Sequence, residues 1–147
     1  RFWSGPVVLG GAISTGRGIR AAEILGADFA YLGSALIPCT ESMAAAAYKE
    51  MVVSAGAEDI VPSKGITGVR ANWLRPSLVA AGYDPDNMPT DKKIDFTNAQ
   101  DDAKAWKHVW SAGQGIGAVN AVEPLAQIAD RLAREYDEAA RLPAFSR

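Results

Sequence analysis

Residues 6–37, PVVLGGAISTGRGIRAAEILGADFAYLGSALI, decide the fold class. The stretch opens on a continuously apolar run, 6–13, with β-branched Val7 and Val8 and a proline at its edge, which predicts a short buried strand. Residues 15–26 then predict a helix. Thr15 is placed to cap it, Ile19, Ala22 and Leu25 (with Ala21 and Ile24) form an apolar face, and Gly26 stops it. A second apolar run, 29–37, interrupted at Gly33-Ser34, predicts a second strand. Thr40 follows as the cap of an alanine-rich helix over 41–55, ended by Gly56. Strand, helix, strand, helix, with both strands apolar on both faces, is the pattern of a parallel α/β sheet.

The rhythm breaks after Gly56. Residues 57–98 contain Pro62, Pro76, Pro85 and Pro89 with Gly65, Gly68 and Gly82, and they predict an excursion of the kind that covers a site. One short helix, 69–81, is the only regular element expected in it. A helix over 99–110, capped by Asn98, would carry Ala103, Trp106 and Trp110 on one side. A last helix over 124–141 has Pro124 at its first position and a stripe of Leu125, Ile128, Leu132, Tyr136 and Ala139.

Composition narrows the classes. A chain of 147 residues, 48% hydrophobic and 22% charged, has the balance of a globular domain with a real core rather than a disordered one. The net charge is −2 and the fifteen Lys and Arg are scattered, so no basic stripe argues for nucleic acid or a membrane surface. No apolar run reaches the roughly 18 residues of a spanning helix. The single Cys39 excludes an internal disulfide framework and makes a reduced, cytoplasmic setting the expectation, while a single histidine excludes a multi-His metal site. The chain starts Arg1-Phe2-Trp3 and enters a strand within five residues, the look of the middle of a longer polypeptide.

Two consecutive strand-to-helix turns carry small residues, Gly10-Gly11-Ala12 and Gly33-Ser34. In a parallel α/β fold such turns lie at the carboxyl end of the sheet, where free backbone N–H groups and helix N-termini favour an anion. In (β/α)8 barrels the loops after strands seven and eight commonly hold a phosphate. The turns therefore point to the phosphate of a nucleotide cofactor; the alternative is that the glycines only turn the chain. GRGIRA, 16–21, matches G-x-G-x-x-A, but Ser14 and Thr15 separate it from the strand and no acid ends the next strand at Ala35-Leu36-Ile37, which argues against a Rossmann site. AGQG, 112–115, is a third small-residue cluster, and its Gln114 can both donate and accept hydrogen bonds.

Taken together these residues resemble the C-terminal half of the nitronate monooxygenase family, long called 2-nitropropane dioxygenases. The matching stretches are 6–37, ESMAAAAYKEM (41–51), TGVRANWLRPSLVAAGYDP (67–85) and WKHVWSAGQGIGAV (106–119), and the resemblance runs to about Tyr136. It implies an α/β fold, the C-terminal part of an FMN-binding (β/α)8 TIM barrel with a mostly helical substrate-domain excursion. Residues 1–56 would be the last two β/α units, 57–111 the substrate-covering excursion, and 112–147 a flavin-facing loop and C-terminal helix. Carried over, Gly11 and Ala12 would place backbone amides at the FMN phosphate. Tyr31, Leu32, Gly33 and Ser34 would form the second phosphate-binding stretch, with the Ser34 hydroxyl where threonine is common, and Gly113 and Gln114 would face the flavin. The resemblance assigns no catalytic residue to this chain. The family's base is a histidine on a Gly-rich loop, whereas His108 lies between Lys107 and Val109 in the expected helix, as an ordinary surface or packing residue. On this resemblance strands one to six would be missing, and half of a closed barrel would expose apolar sheet edges.

The implied reaction is FMN-dependent oxidation of an alkyl nitronate by oxygen to a carbonyl compound and nitrite. Its partners would be a small nitronate-like substrate and the N-terminal half of the barrel, and the isolated chain is expected to bind FMN weakly and turn over nothing. Two other readings stay open: an FMN-dependent NAD(P)H reductase of enoyl thioesters or quinones on the same fold, and a non-catalytic α/β fragment. Tyr31 is expected in the core, and Trp73, Trp106 and Trp110 packing helices. Cys39 is expected inert, and Lys64 and Arg70 solvated.

Overall fold

The computed structural model describes residues 3–90 and 108–142. Strand β1 (Val8–Gly10), helix α1 (Gly16–Ile24) and strand β2 (Phe29–Tyr31) come first, and β1 and β2 pair in parallel with Val8 opposite Phe29 and Gly10 opposite Tyr31. A 3-10 turn (Ser34–Leu36) leads to helix α2 (Ala46–Ser54). The excursion opens with a 3-10 turn (Ala57–Asp59), and strands β3 (Ile60–Ser63) and β4 (Ala71–Leu74) then form an antiparallel hairpin before the short helix α3 (Arg75–Ala80). A 3-10 turn over Gln114–Ala118 and helix α4 (Leu125–Ala140) complete the described chain.

Local chemistry explains α1. Thr15 is extended and its hydroxyl accepts the Gly18 N–H at 3.1 Å, and Gly26 leaves the helix at φ +91°. Its packing departs from the expected face, because α1 turns Ile24 and Leu25 to the outside and buries Gly16 and Ala22. A Cβ on Gly16 would lie 2.1 Å from the Leu132 carbonyl oxygen and 2.3 Å from the Tyr136 nitrogen, so only small residues admit so close an approach of α1 and α4. On α4, Ile128 is buried while Leu125 is 45% exposed, and Pro124 is the cap residue rather than the first helical one.

Three other expectations are corrected. The strands are exposed rather than buried, with Val8, Phe29 and Tyr31 open to solvent, because β1 and β2 pair only with each other among the described residues. The helix expected over 41–55 begins only at Ala46, and Thr40 does not cap it. The Lys49 ammonium draws the carbonyls of Cys39, Thr40 and Ser42 to itself at 2.7, 3.2 and 3.0 Å, which holds residues 39–42 as turns. Residues 71–74, expected within a helix over 69–81, form β4. There Trp73 and Leu74 are fully buried, and β4 gains a second neighbour where Leu74 N–H donates to the Trp110 carbonyl and Ala112 N–H to the Asn72 carbonyl. The helix expected over 99–110, with Trp106, lies outside the described residues except for 108–110.

Among the described residues the core has two parts. One gathers Val52, Ile60, Leu74, Ala112, Ile116 and Val119; the other gathers Ile66, Trp73, Leu78 and Val109. Trp73 packs as expected, its indole N–H donating to the Ser63 carbonyl at 3.0 Å. Among the described residues, no helix is long and apolar enough to cross a membrane.

Candidate functional site

Three turns converge at the carboxyl ends of β1 and β2. After β1 the chain turns through Gly11 at φ +100° and Ala12 at φ +56°, both left-handed. After β2 it passes Gly33 and enters the 3-10 turn at Ser34. The AGQG loop closes over both. Gly113 N–H donates to Ser34 Oγ at 2.7 Å, and a Cβ on Gly115 would stand 2.5 Å from Ser14 Oγ and 2.9 Å from the Ala12 carbonyl. Between them lies a cavity of about 190 Å³ lined by Gly11, Ala12, Ile13, Ser14, Tyr31, Gly33, Ser34, Gly113 and Gly115.

Six of the eight residues singled out from sequence line this cavity: Gly11, Ala12, Tyr31, Gly33, Ser34 and Gly113. Leu32 does not; it is half-buried against the core. Gln114 does not either, and its Oε1 accepts from Asn72 Nδ2 at 3.4 Å. Tyr31 is 68% exposed at the cavity wall, not in the core. Ile13, Ser14 and Gly115 were not singled out. The spacing of Gly113 and Gly115 in AGQG is the only trace that Gly115 leaves, because its partner, the turn at 12–14, lies a hundred residues upstream.

The lining is made of neutral groups. The amides of Ala12, Ile13 and Gly33 have no partner among the described residues. Ser34 Oγ accepts from Gly113 and keeps its own hydrogen to donate. The expectation of an anion at a helix N-terminus is corrected for α1. Glu135 from α4 already accepts the Gly16 N–H at 2.8 Å, and Arg131 holds the same carboxylate at 3.3 Å. The protein's own carboxylate meets the positive end of α1, and the donors left over belong to the turns themselves.

Each glycine of the site has its own reason. Gly11 has a φ that L side chains rarely adopt, and Gly115 has no room for a Cβ. Gly33 is different: its φ is −116°, and a Cβ there would meet no atom within 4 Å. Neither conformation nor packing requires glycine at 33, and its bare surface leaves the space beside it open. That space, walled by glycine and neutral donors, fits a phosphate group.

Other candidates fall outside. His108 is exposed and does not line the cavity, and Cys39 is buried. Lys64 and Arg70 are exposed as expected. Tyr48 donates to the Ser111 carbonyl and stacks on Trp110, with ring centroids 5.1 Å apart; burial raises its phenol pKa, against the lowering effect of that hydrogen bond. Among the described residues, no group of three His, Cys, Asp or Glu side chains could hold a metal ion.

Parallel β/α units with a glycine-walled cavity at their carboxyl ends are those of the C-terminal part of a (β/α)8 barrel. Residues 3–135 match the family model described as nitronate monooxygenase, and the chain belongs to that enzyme family. It is 32% identical over 114 residues to a probable nitronate monooxygenase of Staphylococcus saprophyticus subsp. saprophyticus, a match covering 72% of this chain and 32% of that protein. Among solved structures it is similar to FabK from Thermotoga maritima, with a TM-score of 0.71 and 25% identity over 94% of this chain and 46% of that one. It is also similar to nitroalkane oxidase from Streptomyces ansochromogenes, with a TM-score of 0.70 and 26% identity over 92% of this chain and 40% of that one. The chain spans less than half the length of each of these proteins.

Proposed function

We propose that this chain supplies the phosphate-holding part of an FMN site in an enzyme that oxidises alkyl nitronates with oxygen to carbonyl compounds and nitrite. The observation that carries the reading is Gly33, bare without conformational or steric need, on the wall of a cavity of neutral donors. Family membership supports the choice of substrate. Bound FMN would supply the redox chemistry, taking electrons from the nitronate and passing them to oxygen.

The residues here bind and orient. The amides of Gly11 and Ala12 and the hydroxyl of Ser34 would hold the phosphate, while Tyr31, Leu32 and Gly33 shape the second stretch and Gly113 and Gln114 face the ring. Residues 1–56 would close the barrel against its N-terminal half, 57–111 would cover the substrate, and 112–147 would bring the flavin-facing loop. No residue of this chain serves as the base. A cytoplasmic setting suits the lone thiol of Cys39.

Titration with FMN and with riboflavin, followed by flavin fluorescence, tests the reading. FMN should bind more tightly than riboflavin, and Gly33→Val should weaken FMN by about tenfold or more, ~1.4 kcal/mol, with an unchanged circular dichroism spectrum. Equal affinity for FMN and riboflavin, or indifference to Gly33→Val, would overturn it. In the holoenzyme, flavin reduction by a nitronate rather than by NADH separates this activity from nicotinamide-linked reduction.

A further inference from the structure

Ser14, Ser63, Thr67 and Ser77 are the buried polar side chains among the described residues. Three of them are hydrogen-bonded within the protein. Ser63 Oγ accepts the Gly65 N–H at 3.0 Å, Ser77 Oγ accepts the Trp110 N–H at 2.8 Å, and Thr67 Oγ1 pairs with the Val69 backbone at 3.3 Å. Ser14 is different. It is 4% exposed, and its hydroxyl has no hydrogen-bond partner among the described residues. A buried hydroxyl without a partner costs stability, and folded chains keep few of them without a ligand or a role that uses them.

The surroundings of Ser14 give that hydroxyl one direction. Gly115 lies against it on one side, since a Cβ there would stand 2.5 Å from Ser14 Oγ. Among the described residues no buried side-chain oxygen is both shut off and unbonded, so Ser14 Oγ keeps an opening, and Ser14 lines the cavity. Gly10 and Tyr31 are partners in the parallel register, so the turns that carry Ser14 and Ser34 leave the sheet at the same end. Both hydroxyls meet glycines of one loop: Gly113 N–H donates to Ser34 Oγ at 2.7 Å, and Gly115 packs on Ser14. Ser34 has spent part of its accepting capacity and keeps its hydrogen, whereas Ser14 keeps its whole capacity. No charged side chain lines the cavity, so an anion held there depends on neutral donors. A hydrogen bond to an ionised group is about twice as strong as one between neutral groups.

We propose that Ser14 is a specificity-determining residue of the site, its hydroxyl donating to a phosphate oxygen on the opposite side from Ser34. The proposal rests on the reading of the cavity as the FMN phosphate site and adds to it a residue that the family resemblance does not assign. A phosphate has several terminal oxygens and can engage both hydroxyls at once. Riboflavin, which ends in a single neutral hydroxyl, has no such set of oxygens. Ser14 thereby sets how strongly the chain prefers the phosphorylated flavin to the unphosphorylated one.

The test compares the full chain with its Ser14→Ala variant in titrations with FMN and with riboflavin, followed by flavin fluorescence, and in ligand-free urea unfolding. Ser14→Ala should weaken FMN by about tenfold while riboflavin affinity stays within about twofold. Its ligand-free urea midpoint should be unchanged or higher, because the hydroxyl removed has no partner to lose. If the unmodified chain prefers FMN and Ser14→Ala binds FMN as tightly, the proposal falls and the reading of the cavity stands. Equal weakening of FMN and riboflavin with a lowered midpoint would also overturn it, making Ser14 a residue of the fold alone. If the unmodified chain binds FMN and riboflavin alike, the phosphate reading falls and the proposal with it.

Discussion

Ala12 holds the turn after β1 at φ +56°, where an L side chain is strained by about 1–2 kcal/mol. It lines the cavity, so the strain lies in the turn that a ligand would meet. Glycine there would remove the strain and add some unfolded-state entropy. Ala12→Gly should therefore raise stability by a net ~0.5–1 kcal/mol, seen as a higher urea midpoint with an unchanged slope. A midpoint that stays or falls would show that the turn is not strained. The residues of this turn were legible from composition, since glycines gather where a chain turns sharply. Which glycine serves which purpose was not. A φ value, a blocked Cβ and an open Cβ look the same in a string of letters, and they differ at Gly11, Gly115 and Gly33.

Two helices are capped at their N-termini by glutamates remote in sequence. Glu135 of α4 accepts the Gly16 N–H of α1, and Glu41, in the turns before α2, accepts the Leu125 N–H of α4 at 2.9 and 3.1 Å. The Leu125 N–H, then the Glu41 backbone N–H and the Thr40 hydroxyl, hold the Glu41 carboxyl below the ordinary glutamate range. The folded-state pKa is depressed, so the stability it contributes is present above the unfolded-state value and is lost as pH falls through the folded one. Glu41→Gln should therefore flatten the loss of melting temperature between neutral pH and pH below the carboxylate range. Parallel wild-type and variant profiles would remove this role from Glu41. The order of elements up to α2, the Thr15 cap and the Gly26 stop were legible because each is a contact within a turn or two. The hairpin was not. Residues 71–74 carry a pattern compatible with a helix, and pairing with 60–63 on one side and 110–112 on the other makes them a strand.

At the scale of the molecule, the parallel pair is left bare. Val8 and Phe29 face each other in register and are 58% and 62% exposed, and Tyr31 at the end of β2 is 68% exposed. With no further strand paired to them among the described residues, these apolar strands stay open to solvent. The chain should accordingly enhance the fluorescence of the dye ANS at neutral pH while retaining its far-ultraviolet dichroism. Val8→Ser with Phe29→Ser should lower that signal, whereas Ile24→Ser with Leu25→Ser, exposed on α1, should lower it less. Equal losses from the two pairs would mean that the strands are not the dominant apolar surface.

By itself the sequence determined what depends on near neighbours: the alternation of β and α up to α2, the Thr15 cap and the Gly26 stop, the buried Ile128 of α4, and the motifs that place the chain in its family. Only the tertiary structure decided how the pieces make a site. The bond that closes the AGQG loop over the cavity joins residues 79 apart, and the one that fills the α1 N-terminus joins residues 119 apart. Helical and strand periods record contacts a few residues away, because those contacts repeat along the chain. A single hydrogen bond across such a distance repeats nowhere, and so it leaves no pattern to read until the backbone has folded.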